Sequence, residues 1–306
     1  MSTLQNAMRV SLTLSGLGRI YGADLRGVLD LARSADDAGL DQIVLPDHVV
    51  MGRRTDRYPF GTFPYPPEEP WPEPLVMLAA MAGVTTRVRL STGILIAPLR
   101  PAVLLAKTAA TLDVLSGGRL DLGVGSGWQR EEFWASGVGW VDREQRLDDT
   151  VAACKVLWRD EPATFESPTV SFTDLWCRPA PLQGNGIPVW FGGGATERTA
   201  RRVATLGDGW LPMAGTPVDE LVAGVALVAR ECERAGRDCG EVGVRAGLAG
   251  AKGNDGRPDV ARTLEGAAEL GEVGVTGVTI ALGRFVRSVD DVAPFFDAIA
   301  RASAGS

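Results

Sequence analysis

Residues 24–45, D-L-R-G-V-L-D-L-A-R-S-A-D-D-A-G-L-D-Q-I-V-L, hold the pattern that decides the fold. Leu25, Val28, Leu29, Ala32 and Ala35 recur at helical spacing and predict a helix over Asp24–Ala38 with one apolar face. Gly39 ends the run, glycine being the residue that most easily takes the left-handed conformation past a helix C-terminus. Gln42–Leu45 then forms a short β-rich run. A helix delivered into a strand in this way is half of a parallel βαβ unit.

The same rhythm extends in both directions. Strand runs are read at Arg9–Leu14, Gln42–Leu45, Val88–Ile96, Leu120–Val124, Pro188–Phe191, Gly209–Pro212, Val242–Gly247 and Gly277–Ala281. Helical faces recur at Arg143–Trp158, with Leu147, Val151, Cys154 and Trp158, and near the end with Val292, Phe295, Phe296 and Ile299. Pro101 and Pro258 fall where a first helical turn tolerates proline. Eight strand-then-helix repeats predict a (β/α)₈ barrel, the alternative being an open doubly wound sheet with extra strands. The 306 residues suit one such barrel spanning 1–306. Two stretches break the spacing. Residues 49–72 are rich in arginine, aromatics and proline, and predict a lid-like loop after the second strand, on the face where barrel enzymes build their sites. Residues 163–183 alternate short β runs with turns and predict a hairpin insertion outside the barrel.

Composition narrows the function classes. Hydrophobic residues make up 45% of the chain, enough for a large core. A net charge of −7 argues against a broad nucleic-acid or anionic-membrane surface, which needs extended positive potential. No apolar run approaches the roughly 20 residues of a membrane span, and Met1–Arg9 lacks the order of a signal peptide, so a cytoplasmic protein acting on a small molecule is expected. Cys154, Cys177, Cys232 and Cys239 form no C-x-x-C pair and His48 is the single histidine, so no metal site is expected.

His48 follows Asp47 in L-P-D-H at the end of the second strand. It is the one side chain whose ordinary pKa lies near neutrality, and a strand C-terminus places it at the barrel mouth, suited to moving a proton. Triad hydrolysis is disfavoured, because G-V-G-S-G-W at Gly123–Trp128 has the wrong register for a nucleophile elbow. Asp47, Glu131 and Glu132 leave a carboxylate-pair hydrolase open. Gly192, Gly193 and Gly194 follow the strand P-V-W-F and precede a helix opening at Ala195 and Thr196, where glycine amides and a helix N-terminus suit a phosphate. Gly247–Gly253, with Lys252, is a rival cradle.

Four segments taken together resemble the luciferase-like monooxygenase superfamily, especially its branch that uses the deazaflavin coenzyme F420. They are A-D-D-A-G-L-D-Q-I-V-L-P-D-H (Ala35–His48), S-T-G-I-L-I-A-P (Ser91–Pro98), T-L-D-V-L-S-G-G-R-L-D-L-G-V-G-S-G-W-Q-R-E-E-F (Thr111–Phe133) and P-V-W-F-G-G-G through G-D-G-W (Pro188–Trp210). The resemblance implies a barrel, a homodimer and a cofactor across the strand C-termini. It implies that Asp47 and His48 contact the deazaflavin, His48 as proton donor, and that Gly93, Ile94 and Leu95 supply a backbone bulge, often a non-proline cis peptide, beneath the ring. Ser126, Gly127 and the neighbouring Trp128 would meet the cofactor, and Gly192–Gly194 its phosphate. Two departures stand out: Trp128 occupies the position where some members place an acid, and Arg100 precedes Pro101 where many carry histidine. With F420 the chemistry is hydride transfer to or from a small organic substrate, and Arg53, Arg54 and Arg57 can receive its acidic tail. With FMN, which the same barrel accommodates, it is oxygen insertion. A barrel that binds its cofactor without turnover is the remaining alternative.

Overall fold

The structure, a computed structural model, describes residues 8–304; the N-terminal segment read above for a targeting signal lies outside them apart from its last two residues. In chain order the elements are β1 (Arg9–Thr13), α1 (Leu17–Tyr21), α2 (Gly27–Asp37), β2 (Gln42–Leu45), α3 (Pro74–Ala82), β3 (Arg89–Thr92), β4 (Leu95–Ile96), α4 (Ala102–Ser116), β5 (Leu120–Gly125), α5 (Arg130–Ala135), α6 (Arg143–Arg159), β6 (Ala163–Glu166) and β7 (Ser171–Leu175). They continue with β8 (Val189–Gly192), α7 (Glu197–Leu206), β9 (Gly209–Leu211), α8 (Val218–Arg234), β10 (Gly243–Gly247), β11 (Ala251–Lys252), β12 (Pro258–Asp259), α9 (Val260–Glu265), α10 (Ala267–Glu272), β13 (Gly277–Ala281), α11 (Leu282–Phe285) and α12 (Val292–Ala304).

Strands pair in the order β3, β2, β1, β13, β10, β9, β8, β5, β4, and β3 also pairs with β5, which closes the sheet. Every barrel pairing is parallel. Among the described residues this makes eight staves, because β3 and β4 are two halves of one strand interrupted at Gly93–Ile94, whose peptide bond is cis. The (β/α)₈ expectation therefore stands, with the third run split. The opening segment behaves as its pattern dictates: Val28, Leu31, Ala32 and Ala35 are buried against the sheet, and Gly39 takes φ 76° just past α2.

The core lies between sheet and helices, where Leu12, Ile43, Leu90, Leu122, Phe191 and Val278 are buried. Alternate strand residues face the lumen, which is polar. Gln42 on β2 donates to Asp121 on β5, and Arg245 on β10 donates to Ser91 on β3 at 3.4 Å, contacts that cross the barrel. Burial draws the Arg245 guanidinium down to about 10, the Asp121 charge opposing this and the Arg89 charge adding to it. Its group stacks on Trp190, 5.0 Å from the ring centroid.

The two irregular stretches take distinct forms. Residues 49–72 carry only one short 3₁₀ turn, Thr55–Arg57, before α3. β6 and β7 pair antiparallel, apart from the barrel sheet. Pro258 does not open a helix, contrary to the sequence expectation: it pairs with Lys252 in the small β11–β12 ribbon, and the Asp259 carboxylate caps α9 by accepting the Arg262 amide at 3.0 Å. Among the described residues no helix is long and apolar enough to cross a membrane.

Candidate active site

The C-terminal end of β2 delivers Asp47 and His48 to the barrel mouth, and α5 approaches them from the side. Glu132, fully buried on α5, places Oε2 3.1 Å from His48 Nδ1 and accepts the Val49 amide on Oε1 at 2.9 Å. Gln129, the N-cap residue just before α5, accepts the Gly52 amide at 2.6 Å and donates to Gly52 O at 3.3 Å. The opening of α5 thus grips the root of the 49–72 loop at two points.

Asp47 has a different partner. Its side chain is 1% exposed and is met by Arg100 Nη1 at 2.6 Å, Arg100 Nη2 at 3.1 Å and the Ile96 amide at 2.8 Å. Arg100 also donates to Glu73 at 2.8 Å, and Glu73 caps α3. Burial works against the Arg100 charge, but hydrogen bonds and charges from Asp47 and Glu73 outweigh it and raise its pKa. Asp47 is therefore a clamp between β2 and the segment just after Gly93–Leu95. The three carboxylates kept open for paired hydrolysis are each engaged separately: Asp47 with Arg100, Glu132 with His48, and Glu131 near Arg57 at 3.7 Å.

The mouth has a floor and a wall. Ile94, partly exposed, is the floor; a Cβ at Gly192 would lie 2.5 Å from its Cγ2 and one at Gly125 2.9 Å from its Cδ1. Both glycines are thus required by close approach, and Gly93, Ile94 and Gly192 do converge. Leu95 is buried in the core and offers only its backbone to a ligand. Gly127, at φ 73°, packs on Ile96 and Phe133. The wall comes from the 49–72 loop: His48 meets Trp71, Phe63 and Trp128 edge-on at centroid distances of 4.9, 5.8 and 6.0 Å. Tyr58 meets Trp128 at 5.1 Å and Tyr65 meets Trp71 at 5.1 Å. Trp128 is thus a member of this wall.

The expected phosphate region is more occupied than its glycines imply. The Gly193 amide donates to Leu211 O at 3.1 Å, and Thr196, the N-cap of α7, accepts the Thr199 amide at 3.2 Å. Gly194 is the open part of the loop, where an added Cβ would meet nothing within 4 Å. Ser126 donates to Glu144 at 2.8 Å rather than standing free, and Arg202 holds the same carboxylate at 2.8 Å. Burial would raise the Glu144 pKa, but the Ser126 and Arg202 bonds and the nearby arginine charges lower it overall. Lys252 in the rival cradle is exposed. Of the loop cations, Arg54 is paired with Asp56 at 2.8 Å, while Arg57 joins Arg130, Trp128, Gln129, Glu131 and Trp140 around a cleft of about 390 Å³.

Sequence alone does not separate Glu132 from Glu131, and it shows Arg100 only as a departure from the family pattern. The signal that could have found the first is the pairing of Gln129 at the N-cap with Glu132 at the third helical position, two polar residues that the opening of α5 buries together. Nothing local marks Arg100, because its partners lie 53 and 27 residues away.

Residues 7–289 match the luciferase-like monooxygenase family, and the chain belongs to it. An uncharacterized protein of Mycobacterium tuberculosis is 32% identical over 274 residues, 88% of this chain and 91% of that one. The F420-dependent glucose-6-phosphate dehydrogenase of Kineococcus radiotolerans is 32% identical over 70% of this chain and 60% of its own length. The FMNH₂-dependent dimethylsulfone monooxygenase of Pseudomonas putida is 31% identical over 50% and 42%. The crystal structure of the monooxygenase RslO1 from Streptomyces bottropensis shares the fold, with a TM-score of 0.80 at 18% identity over 97% of this chain and 99% of that one. The family thus holds both F420- and FMN-dependent members.

Proposed function

We propose that the protein is a cytoplasmic, homodimeric oxidoreductase that transfers hydride between coenzyme F420 and a small organic substrate. The observation that carries this reading is His48, 9% exposed, set at the end of the second strand among Trp71, Phe63 and Trp128 and tied to the buried Glu132. The residues fit a planar tricyclic ring: Ile94 packs directly on the backbone of Gly125 and Gly192, so no side chain from either stands beside it, and Gly194 leaves room at the end of β8. When bound, the deazaflavin supplies the carbon that accepts or releases hydride. His48 moves the accompanying proton on the substrate, Ile94 and the Gly93–Ile94 backbone support the ring, and Trp71, Phe63 and Trp128 exclude water. Gly194, where the loop after β8 is open, receives the phosphate end, Gly127 lies along the cofactor, and Arg57 and Arg130 at the cleft rim lie toward an acidic tail. Support for F420 comes also from the Kineococcus relative.

FMN-dependent oxygenation is a second reading, favoured by Trp128 standing where a carboxylate would serve as a second proton carrier, and by the Pseudomonas relative. The homodimer reading is supported by an exposed apolar face on α3 and α4, where Val76, Val103, Leu104 and Leu115 are 69%, 43%, 60% and 62% exposed. Equilibrium binding of F420 and of FMN, read by tryptophan quenching, tests the cofactor. Tight F420 binding with substrate-dependent absorbance change supports hydride transfer, the reverse preference moves the protein to oxygen chemistry, and retention of F420 with no turnover across a broad substrate panel supports a binding protein.

A further inference from the structure

We infer that Glu132 is the positioning residue that decides which nitrogen of His48 handles the proton. The inference rests on the reading of His48 just given. The two oxygens of Glu132 serve different donors: Oε1 takes the Val49 amide at 2.9 Å and Oε2 faces His48 Nδ1 at 3.1 Å. An amide can only donate, so Oε1 is committed to the backbone, and the remaining oxygen of a carboxylate can only accept. Nδ1 therefore carries hydrogen, and the neutral ring keeps its lone pair on Nε2. Trp71, Phe63 and Trp128 surround the ring edge-on and oppose a flip that would exchange the nitrogens. Nε2 is the atom that takes a proton from the substrate, or returns one when the ring is charged. The same carboxylate fixes Val49, the first residue of the aromatic loop, so the proton-handling atom and the wall beside it share one anchor.

Glu132→Gln tests this with almost no change in shape. Val49 still requires the oxygen, which turns the amide NH₂ toward His48, and a donor there is satisfied only by an unprotonated Nδ1. The substitution thus reverses the tautomer. Because His48 is the single histidine in the chain, imidazole nitrogen-15 spectra of the histidine-labelled, ligand-free protein need no assignment. Above the pH at which the ring is charged, the native protein is expected to show hydrogen on Nδ1, and Glu132→Gln to show it on Nε2. With the substrate found in the screen, kcat should fall roughly 10²–10⁴-fold with little change in KM, as expected when an orienting carboxylate is amidated, and Glu132→Asp should recover part of it. Hydrogen on Nε2 in the native protein, or an unchanged tautomer in Glu132→Gln, overturns the inference. If Glu132→Gln fails to fold, the native spectrum alone decides. The spectra need neither cofactor nor substrate, so a failed F420 reading and a failed tautomer assignment are separately visible.

Discussion

Removing the Arg100 guanidinium should leave one of the most buried charges in the molecule without its cation. Asp47 is 1% exposed and Arg100 14%. Of the three donors on the Asp47 carboxylate, two belong to Arg100, at 2.6 and 3.1 Å, and only the Ile96 amide at 2.8 Å survives Arg100→Ala. Breaking one partner of a buried ion pair costs about 3–5 kcal/mol, more than the pair itself contributes, because the remaining charge stays desolvated. Glu73 loses its partner as well, but it is 43% exposed and water replaces the contact at little cost. We expect Arg100→Ala to destabilise the protein by about 4 kcal/mol. In urea, with a slope of about 3 kcal/mol/M for a chain of this size, the midpoint falls by about 1.3 M. Arg100→Met combined with Asp47→Asn removes both charges and should cost less than Arg100→Ala alone, so the two changes are strongly non-additive. Unfolding followed by tryptophan fluorescence measures the native protein, Arg100→Ala, the singles Arg100→Met and Asp47→Asn, and the double variant. A midpoint shift below about 0.3 M for Arg100→Ala, or a double variant that is the least stable of the set, would refute the clamp.

Three further outcomes follow from the same geometry. Gly192→Ala places a methyl group 2.5 Å from Ile94 Cγ2, so the Ile94 side chain must shift from its place on β8; the fold should persist by circular dichroism while affinity for F420 or FMN falls at least tenfold, and unchanged affinity would remove Ile94 from the floor. Asp36 accepts the amides of Thr86, Arg87 and Val88 at 2.9, 2.9 and 2.6 Å, and although burial raises its pKa these bonds hold it below the ordinary 3.8. Its folded value being depressed, its contribution is complete above 3.8 and is lost as pH falls through the folded value. Asp36→Asn should therefore cost about 2–4 kcal/mol at pH 7, with the gap to the native protein narrowing on acidification; a gap constant down to about pH 2.5 contradicts this. Leu104→Glu, on the exposed face of α4, should turn the proposed dimer into a monomer by light scattering, and a native protein that is monomeric at the outset would dispose of that interface.

Much of the barrel is legible in the sequence because its information is local. Each strand run and each helical face is carried by residues within one element, and Asp24–Leu45 announces helix, glycine stop and strand without reference to anything distant. Pro258 escapes such reading because its partner is Lys252 across a two-residue ribbon, and ribbon pairing leaves no periodicity to read. The third strand reads as one run because Leu90, Thr92, Ile94, Leu95 and Ile96 keep apolar or β-branched residues on both sides of Gly93, and the interruption at Gly93–Ile94 enters only through resemblance.

By itself, then, the sequence determined the alternation of strands and helices, the position of Asp47–His48 at a strand end and the glycines at the mouth, since periodicity and turn chemistry act over a few residues. Only the tertiary structure decided what those residues do to one another. Closing the barrel brings Glu132 to His48 across 84 residues, Arg100 to Asp47 across 53, and folds the aromatics of 49–72 around the histidine. Such pairings arise from packing and desolvation, which depend on distances between elements that no local pattern records.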